Sequence, residues 1–459
     1  MAAAPHRPRV MMLPFAAQGH VMPLMELSHR LVEHGFEVVF VNTDFNHARI
    51  LATMAGATPA GGIHLVSFPD GMDPDGDRTD IGKVLDGLPA AMLGGLEETI
   101  RSRDIRWVVA DVSMSFALEL VHTVGVRVAL FSTYSAATFA LRMQLPRMLE
   151  DGILDETGNV RRNERVQLDS KMPAIDASKL PWTSLGKSPE SRRAMIQSTL
   201  TTNPTLSLAE TIVCNTFQEV ESVALARLPV PAVAIGPLEA PKSVSSAAAA
   251  GHFWAQDEAC LRWLDAQAPG SVVYVAFGSL TVFDAERLQE LADGLALTGR
   301  PFLWVVRPNF ADGVGERWLD GFRRRVGEGR GLVVGWAPQQ RVLAHPSVAC
   351  FVTHCGWNST MEGVRHGVPF LCWPYFADQF LNQSYICDLW GVGLKVCADA
   401  DERGVVTKEE IRDKVARLLG DEAIKARTVA LKSAACASVA DGGSSHQDLL
   451  KLVNLLREK

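Results

Sequence analysis

Two groups of residues in this sequence have the types and spacing that do chemistry. The first is His20, which closes the run Pro14-Phe15-Ala16-Ala17-Gln18-Gly19-His20, together with Asp111, which ends the apolar run 107–110. A neutral imidazole backed by a carboxylate is a general base. The carboxylate selects the ring tautomer and stabilises the charge that arrives with the proton. The second group lies within residues 336–379. There 350–353 reads as a buried strand, His354-Cys355-Gly356 as a tight turn at its carboxyl end, and Asn358-Ser359 as the opening of a helix. Backbone N–H groups and the positive end of such a helix bind anions. His354, Asn358 and Ser359 add side-chain donors. Glu362, one turn further on, can accept two hydroxyls, and Trp336 offers a flat aromatic face.

Side chains this far apart in sequence need a frame. Short, continuous, β-branched runs at 10–15, 37–41, 63–68, 107–110 and 126–131 alternate with helical patterns at 23–33, about 88–101 and 115–124. That alternation predicts a parallel sheet covered on both faces. It puts His20 in a loop and Asp111 at the carboxyl edge of the sheet, on strands that a doubly wound order can set side by side. The rhythm restarts with strands at 271–277, 302–306, 332–334, 350–353 and 369–373 and helices near 285–297, 339–344, 358–366, 379–389 and 407–419. Between the halves, 238–251 contains Ser243-Val244-Ser245-Ser246 and four alanines, a linker composition. Residues 150–205 are Pro-rich, charged and weakly periodic, and read as irregular. Residues 447–457 read as a last amphipathic helix. The expected division is an acceptor-side domain over 1–237, a linker over 238–253, a second domain over 254–441 and a final helical segment over 442–459.

Composition narrows the classes. Of 459 residues, 47% are hydrophobic and 21% charged, which excludes disorder, collagen and coiled coil for the whole chain. The 45 basic and 52 acidic side chains leave a net charge of −7, against a nucleic-acid binder. No apolar run reaches the ~18 residues of a membrane span. The first residues lack the apolar core of a signal peptide. The eight cysteines form no C-x-x-C pair and read as reduced thiols of a cytoplasmic protein.

The stretch 336–379, from Trp336 through His354-Cys355-Gly356-Trp357-Asn358-Ser359 and Glu362 to Asp378-Gln379, resembles the signature box of plant family-1 UDP-sugar-dependent glycosyltransferases. Ala349, where glycine is more usual, is its one small departure. Pro14-Phe15-Ala16-Ala17-Gln18-Gly19-His20-Val21-Met22-Pro23 resembles the family's opening loop. Asn42-Thr43-Asp44-Phe45-Asn46-His47, Cys214-Asn215-Thr216-Phe217 and Ile235-Gly236-Pro237 extend the resemblance over the whole chain. It implies the GT-B fold: two doubly wound Rossmann-like domains facing a cleft, with the last helix returning to the N-terminal domain. It also implies roles. His20 is the base and Asp111 its partner. Trp336 stacks on uracil, Ala337 contacts the uracil edge through its backbone, and Gln339 and Glu362 lie at the ribose. Ser279, His354, Asn358 and Ser359 hold the diphosphate. Asp378 and Gln379 bind the sugar hydroxyls, with Trp357 and Ser132 beside them. Candidate walls for the acceptor are Phe15, Met114, Phe116, Phe139 and Met143.

The expected reaction is inverting transfer of glucose from UDP-glucose to a hydroxyl or carboxyl of a small lipophilic acceptor, giving a β-glucoside. Flavonoids, other phenolics, terpenoids and hormone-like acids all remain open. UDP-glucose is a co-substrate. No further cofactor, metal ion, nucleic acid or membrane span is expected, and the chain is expected to act as a monomer. A nicotinamide oxidoreductase would need G-x-G-x-x-G between strand and helix. Gly327, Gly329 and Gly331 alternate, but ahead of a strand. A UDP-sugar epimerase on the same fold would not need the signature box. Intact His20 and Asp111 count against a non-catalytic UDP-sugar sensor. Asn358-Ser359-Thr360 and Asn382-Gln383-Ser384 are sequons that carry no expectation of glycosylation.

Overall fold

The computed structural model describes residues 7–54, 61–239, 251–307, 310, 315–327, 329–396 and 405–458. Most of the expected linker, Cys397 and the first six residues lie outside them. The chain divides into two compact units: residues 1–253 with 376–378 and 437–459, and residues 254–375 with 379–436.

The first unit carries strands β1 (Arg9–Leu13), β2 (Glu37–Thr43), β3 (Ile63–Phe68), β4 (Trp107–Asp111) and β5 (Arg127–Ser132). A two-stranded antiparallel hairpin, β6 (Arg165–Val166) and β7 (Ile175–Asp176), follows. β8 (Thr211–Cys214) and β9 (Ala232–Ala234) complete the main sheet, whose order is β3-β2-β1-β4-β5-β8-β9. All its pairs are parallel. The central strands β1, β2, β4 and β5 are near-continuous apolar runs buried on both faces, while the edge strand β3 is mostly half-buried.

The second unit holds β10 (Val272–Ala276), β11 (Phe302–Val305), β12 (Gly331–Val334), β13 (Val348–Thr353), β14 (Phe370–Cys372) and β15 (Gly393–Lys395). Their order is β12-β11-β10-β13-β14-β15, again all parallel. Its core sets the aromatics Phe277, Phe283, Phe302, Trp304, Phe310 and Trp373 among a larger number of aliphatic side chains. Both sheets therefore reverse their winding once, between β1 and β4 and between β10 and β13. Open α/β sheets bind ligands at the carboxyl ends of the strands flanking that reversal.

Several elements differ from the sequence expectation. The first helix spans Gln18–Glu33, so His20 stands on its first turn and not in a loop. Pro23, which suggests a later start, removes only one intrahelical donor near the helix beginning. The segment 150–205 is not irregular throughout: Pro189–Thr202 is a helix. Its buried residues, Ser191, Met195, Ile196 and Thr202, are too few and too polar to give a clear stripe. The last helix begins at Ser444 and packs within the first unit, where Ala234 N–H donates to Asp448 (3.0 Å) and Ser445 Oγ to the Gly236 carbonyl (2.6 Å). No described helix is long and apolar enough to cross a membrane, and no described cysteine is in a disulfide.

Candidate active site

In the first unit the pairing of β1 with β4 sets Leu13 opposite Ala110, so the residues that follow each strand are neighbours. His20 and Asp111 meet there. His20 Nδ1 lies 2.7 Å from Asp111 Oδ2, with the carboxylate fully buried and the imidazole 24% exposed. Ser113 N–H donates to Asp111 Oδ1 (2.7 Å), which fixes the carboxylate from its other side. Phe15 packs edge-on against the imidazole at 5.2 Å. With Nδ1–H directed at the carboxylate, the Nε2 lone pair is the basic site.

A third group that the sequence reading missed joins them. Thr133 Oγ1 lies 2.9 Å from His20 Nδ1. Asp111 is paired with Phe131 across β4 and β5, which brings the end of β5 to the same place. Ser132, the residue singled out from sequence, is buried, and its hydroxyl donates to the Tyr134 carbonyl (2.8 Å). Only the alternation of sides along the strand end separates the two, and that is not readable without the register. Of the proposed acceptor walls, Phe15, Met114 and Phe139 are buried, while Phe116 and Met143 are half-buried.

In the second unit Ala276 is paired with Thr353, so the loop after β10 faces the turn after β13. The His354 ring lies against Gly278 and Gly356. A Cβ on either would come within 2.6 Å or 2.5 Å of its Nε2, so both positions must be glycine for the ring to lie there. Gly278 also has φ +68°, and Cys355, in the turn itself, φ +65°. Asn382 Nδ2, from the helix Gln379–Ser384, donates to the Cys355 carbonyl (2.9 Å), so this sequon asparagine is buried and braces the turn. Burial lowers the pKa of His354 to about 4. It is neutral at physiological pH and offers an N–H donor, not a charge. The helix Trp357–His366 then starts, bringing half-buried Asn358 and Ser359 to its first turn.

The loop that carries Ser279 is held by Arg307, a second residue the sequence reading did not mark. The buried guanidinium donates through Nε to the Gly278 carbonyl (3.3 Å) and through Nη2 to the Thr281 carbonyl. Burial lowers its pKa to about 10, which leaves it cationic at neutral pH.

Trp336 is stacked with Trp254 at 4.6 Å and 27°, so a base would take its other face. Buried Ala337 follows it. Gln339 Nε2 donates to Ser359 Oγ (2.8 Å) and Glu362 Oε2 (2.6 Å), and Gln340 Nε2 to Glu362 Oε1 (3.2 Å). The structure thus gathers Gln339, Ser359 and Glu362 into one network. Trp357 is 2% exposed and packs against Tyr385 and Trp390. Gln379 is buried, and its Oε1 accepts from Tyr375 N–H (2.8 Å). Asp378, adjacent in sequence, groups with the first unit.

Comparison with known proteins shows the family. The family described as "UDP-glucoronosyl and UDP-glucosyl transferase" matches residues 246–434. UDP-glycosyltransferase 83A1 of Arabidopsis thaliana is 38% identical, covering 99% of this chain and 97% of its own. The (R)-mandelonitrile beta-glucosyltransferase of Prunus dulcis is 33% identical over 98% of each. The crystal structure of Os79 from O. sativa in complex with UDP superposes with a TM-score of 0.79 at 28% identity, covering 97% of this chain and all of the other. With two Rossmann-like sheets of GT-B type and full-length similarity to these enzymes, the chain belongs to the plant UDP-glycosyltransferase family, whose members transfer a sugar from a UDP-sugar to small acceptors.

Proposed function

We propose that this enzyme is an inverting glucosyltransferase that moves glucose from UDP-glucose to a hydroxyl or carboxyl of a small lipophilic acceptor, with His20 as general base. The observation that carries the reading is the 2.7 Å contact between His20 Nδ1 and the buried Asp111 carboxylate. Asp111 holds Nδ1 protonated, so Nε2 takes the proton of the acceptor hydroxyl. The oxygen attacks the anomeric carbon of the α-linked sugar from the face opposite UDP, the C–O bond to the diphosphate breaks, and a β-glucoside forms. Asp111 stabilises the imidazolium that results. One base suffices, because the acceptor itself is the nucleophile. A glycosidase, by contrast, needs paired carboxylates.

Charge develops on the departing diphosphate. Ser279, neutral His354, Asn358, Ser359 and the N–H groups at Trp357–His366 supply donors without requiring a metal ion. Trp336 stacks on uracil, Ala337 meets its edge, and Glu362 accepts from the ribose. Asp378 and Gln379 read the sugar. The beta-glucosyltransferase activity named for the Prunus dulcis relative supports both the sugar and the stereochemistry.

Two measurements test the reading. Incubated with UDP-glucose, a phenolic acceptor and a chelator, the enzyme should form glycoside at an undiminished rate. Loss of activity restored by Mg²⁺ or Mn²⁺ would contradict the metal-independent mechanism, and binding of UDP-glucose without turnover across a panel of phenolic, terpenoid and carboxylic acceptors would contradict the catalytic one. In calorimetry with UDP, Trp336→Ala should weaken binding by about 1–3 kcal/mol, the scale of base–aromatic stacking. Unchanged affinity would place the base elsewhere.

A further inference from the structure

Tyr274 lies on β10, is fully buried, and stacks on Phe351 at 5.0 Å. Its hydroxyl donates to Gln339 Oε1 (3.1 Å). That bond braces, from its carbonyl side, the one flip of the amide that the Glu362 carboxylate also requires. With Oε1 held by the phenol, Nε2 faces Ser359 and Glu362 and donates to both. The reverse flip would set a carbonyl oxygen against a carboxylate, which only accepts. Burial, with the Glu362 carboxylate nearby, raises the Tyr274 pKa well above its usual value, so the phenol stays a donor throughout the working pH range.

We propose that Tyr274 is a positioning residue of the nucleotide site. Acting through Gln339, it holds the Glu362 carboxylate in the orientation that accepts the ribose hydroxyls. The inference rests on the reading of Glu362 as the ribose acceptor. It also gives Gln339 a role beyond its own contact near the ribose: both amide hydrogens are engaged with Ser359 and Glu362, and the amide transmits the tyrosine's orientation. Without the phenolic hydroxyl, the Gln339 amide is held from one side only, Glu362 Oε2 loses a fixed donor while Oε1 keeps Gln340 Nε2, and the nucleotide must order both side chains when it binds.

The test is a double-mutant cycle read by UDP calorimetry and steady-state kinetics. Tyr274→Phe keeps the ring and its stacking on Phe351 and removes only the hydroxyl. UDP affinity should fall ~3- to 10-fold, the worth of one net hydrogen bond. The donor KM should rise by the same factor, while kcat at saturating donor changes less than about twofold, the pattern of lost ground-state binding. In a Glu362→Ala background, the same Tyr274→Phe change should cost nothing further. Gln339→Leu breaks the relay at its middle and should cost at least as much, with no further loss when Tyr274→Phe is added, which covers the case of a Tyr274→Phe protein that melts early. If Glu362→Ala weakens UDP binding but Tyr274→Phe does not, the relay is wrong and the ribose reading stands. A Tyr274→Phe loss that persists at full size without Glu362 also overturns it, since that is a plain structural effect. If Glu362→Ala leaves UDP affinity intact, the ribose reading itself fails, and the relay with it.

Discussion

Replacing His20 with alanine should lower kcat by at least about 100-fold towards an alcohol or weakly acidic phenol, while UDP affinity stays within about twofold. The asymmetry follows from where the residue stands. His20 is on the first unit beside buried Asp111, whereas the network of Gln339, Ser359 and Glu362 proposed to hold the nucleotide belongs to the second. Asp111→Asn should act almost as strongly by a different route. An asparagine amide would donate to His20 Nδ1 and force the ring proton onto Nε2, the atom that must accept. Losing the tautomer should again lower kcat by at least about 100-fold without a matching rise in the donor KM. The more acidic the acceptor, the smaller both effects should be, because such an acceptor needs less help to lose its proton. Full activity of His20→Ala towards an alcohol would rule out the base assignment.

The choice of donor should be the next largest effect: UDP-glucose over UDP-galactose by roughly 5- to 150-fold, from a buried hydrogen-bond mismatch of about 1–3 kcal/mol. The two sugars differ only at the 4-hydroxyl. Gln379 is buried and its Oε1 is held by Tyr375 N–H (2.8 Å), so its amide cannot turn freely to suit either epimer. Asp378 accepts only, which adds a second fixed requirement. A hydroxyl of the wrong orientation leaves one of these groups unpaired. UDP-glucuronic acid should also be poor, since neither Asp378 nor Gln379 offers a cation to its carboxylate. Equimolar donors competing for one acceptor, with products separated by chromatography, measure the preference directly. A majority of galactoside or glucuronide would remove Asp378 and Gln379 as the sugar-reading pair.

The frame was legible in the sequence because parallel strands buried on both faces must be continuous apolar runs. The fully buried β4 matches its apolar run 107–110 to within one residue, and the amphipathic helix Ala285–Leu297 matches to the residue. β8 and β9 escape because they follow the weakly periodic stretch that runs to 205, outside the strand–helix rhythm that exposes the equally short β12 and β14. The start of the first helix was hidden by Pro23. The chemistry-bearing motifs were legible because each is local: a strand end, a turn, a helix start. What escaped depends on register and fold. Thr133 reaches His20 only because β5 lies beside β4. Tyr274 looks like any core aromatic of a strand until β10 brings its hydroxyl to Gln339, 65 residues away in sequence. Trp254 and Arg307 likewise gain meaning only from what they touch, Trp336 and the Gly278–Thr281 backbone.

Inversion by a single base is the central claim, and the configuration of the product tests it most directly. The enzyme should be supplied with UDP-α-glucose and a simple alcohol or phenol, and the glycoside examined by proton NMR as it forms, before any later rearrangement. A β-anomer throughout, with its formation abolished in step by His20→Ala, is the result this mechanism requires. An α-glucoside, or a β-glucoside whose rate is indifferent to His20, would contradict it.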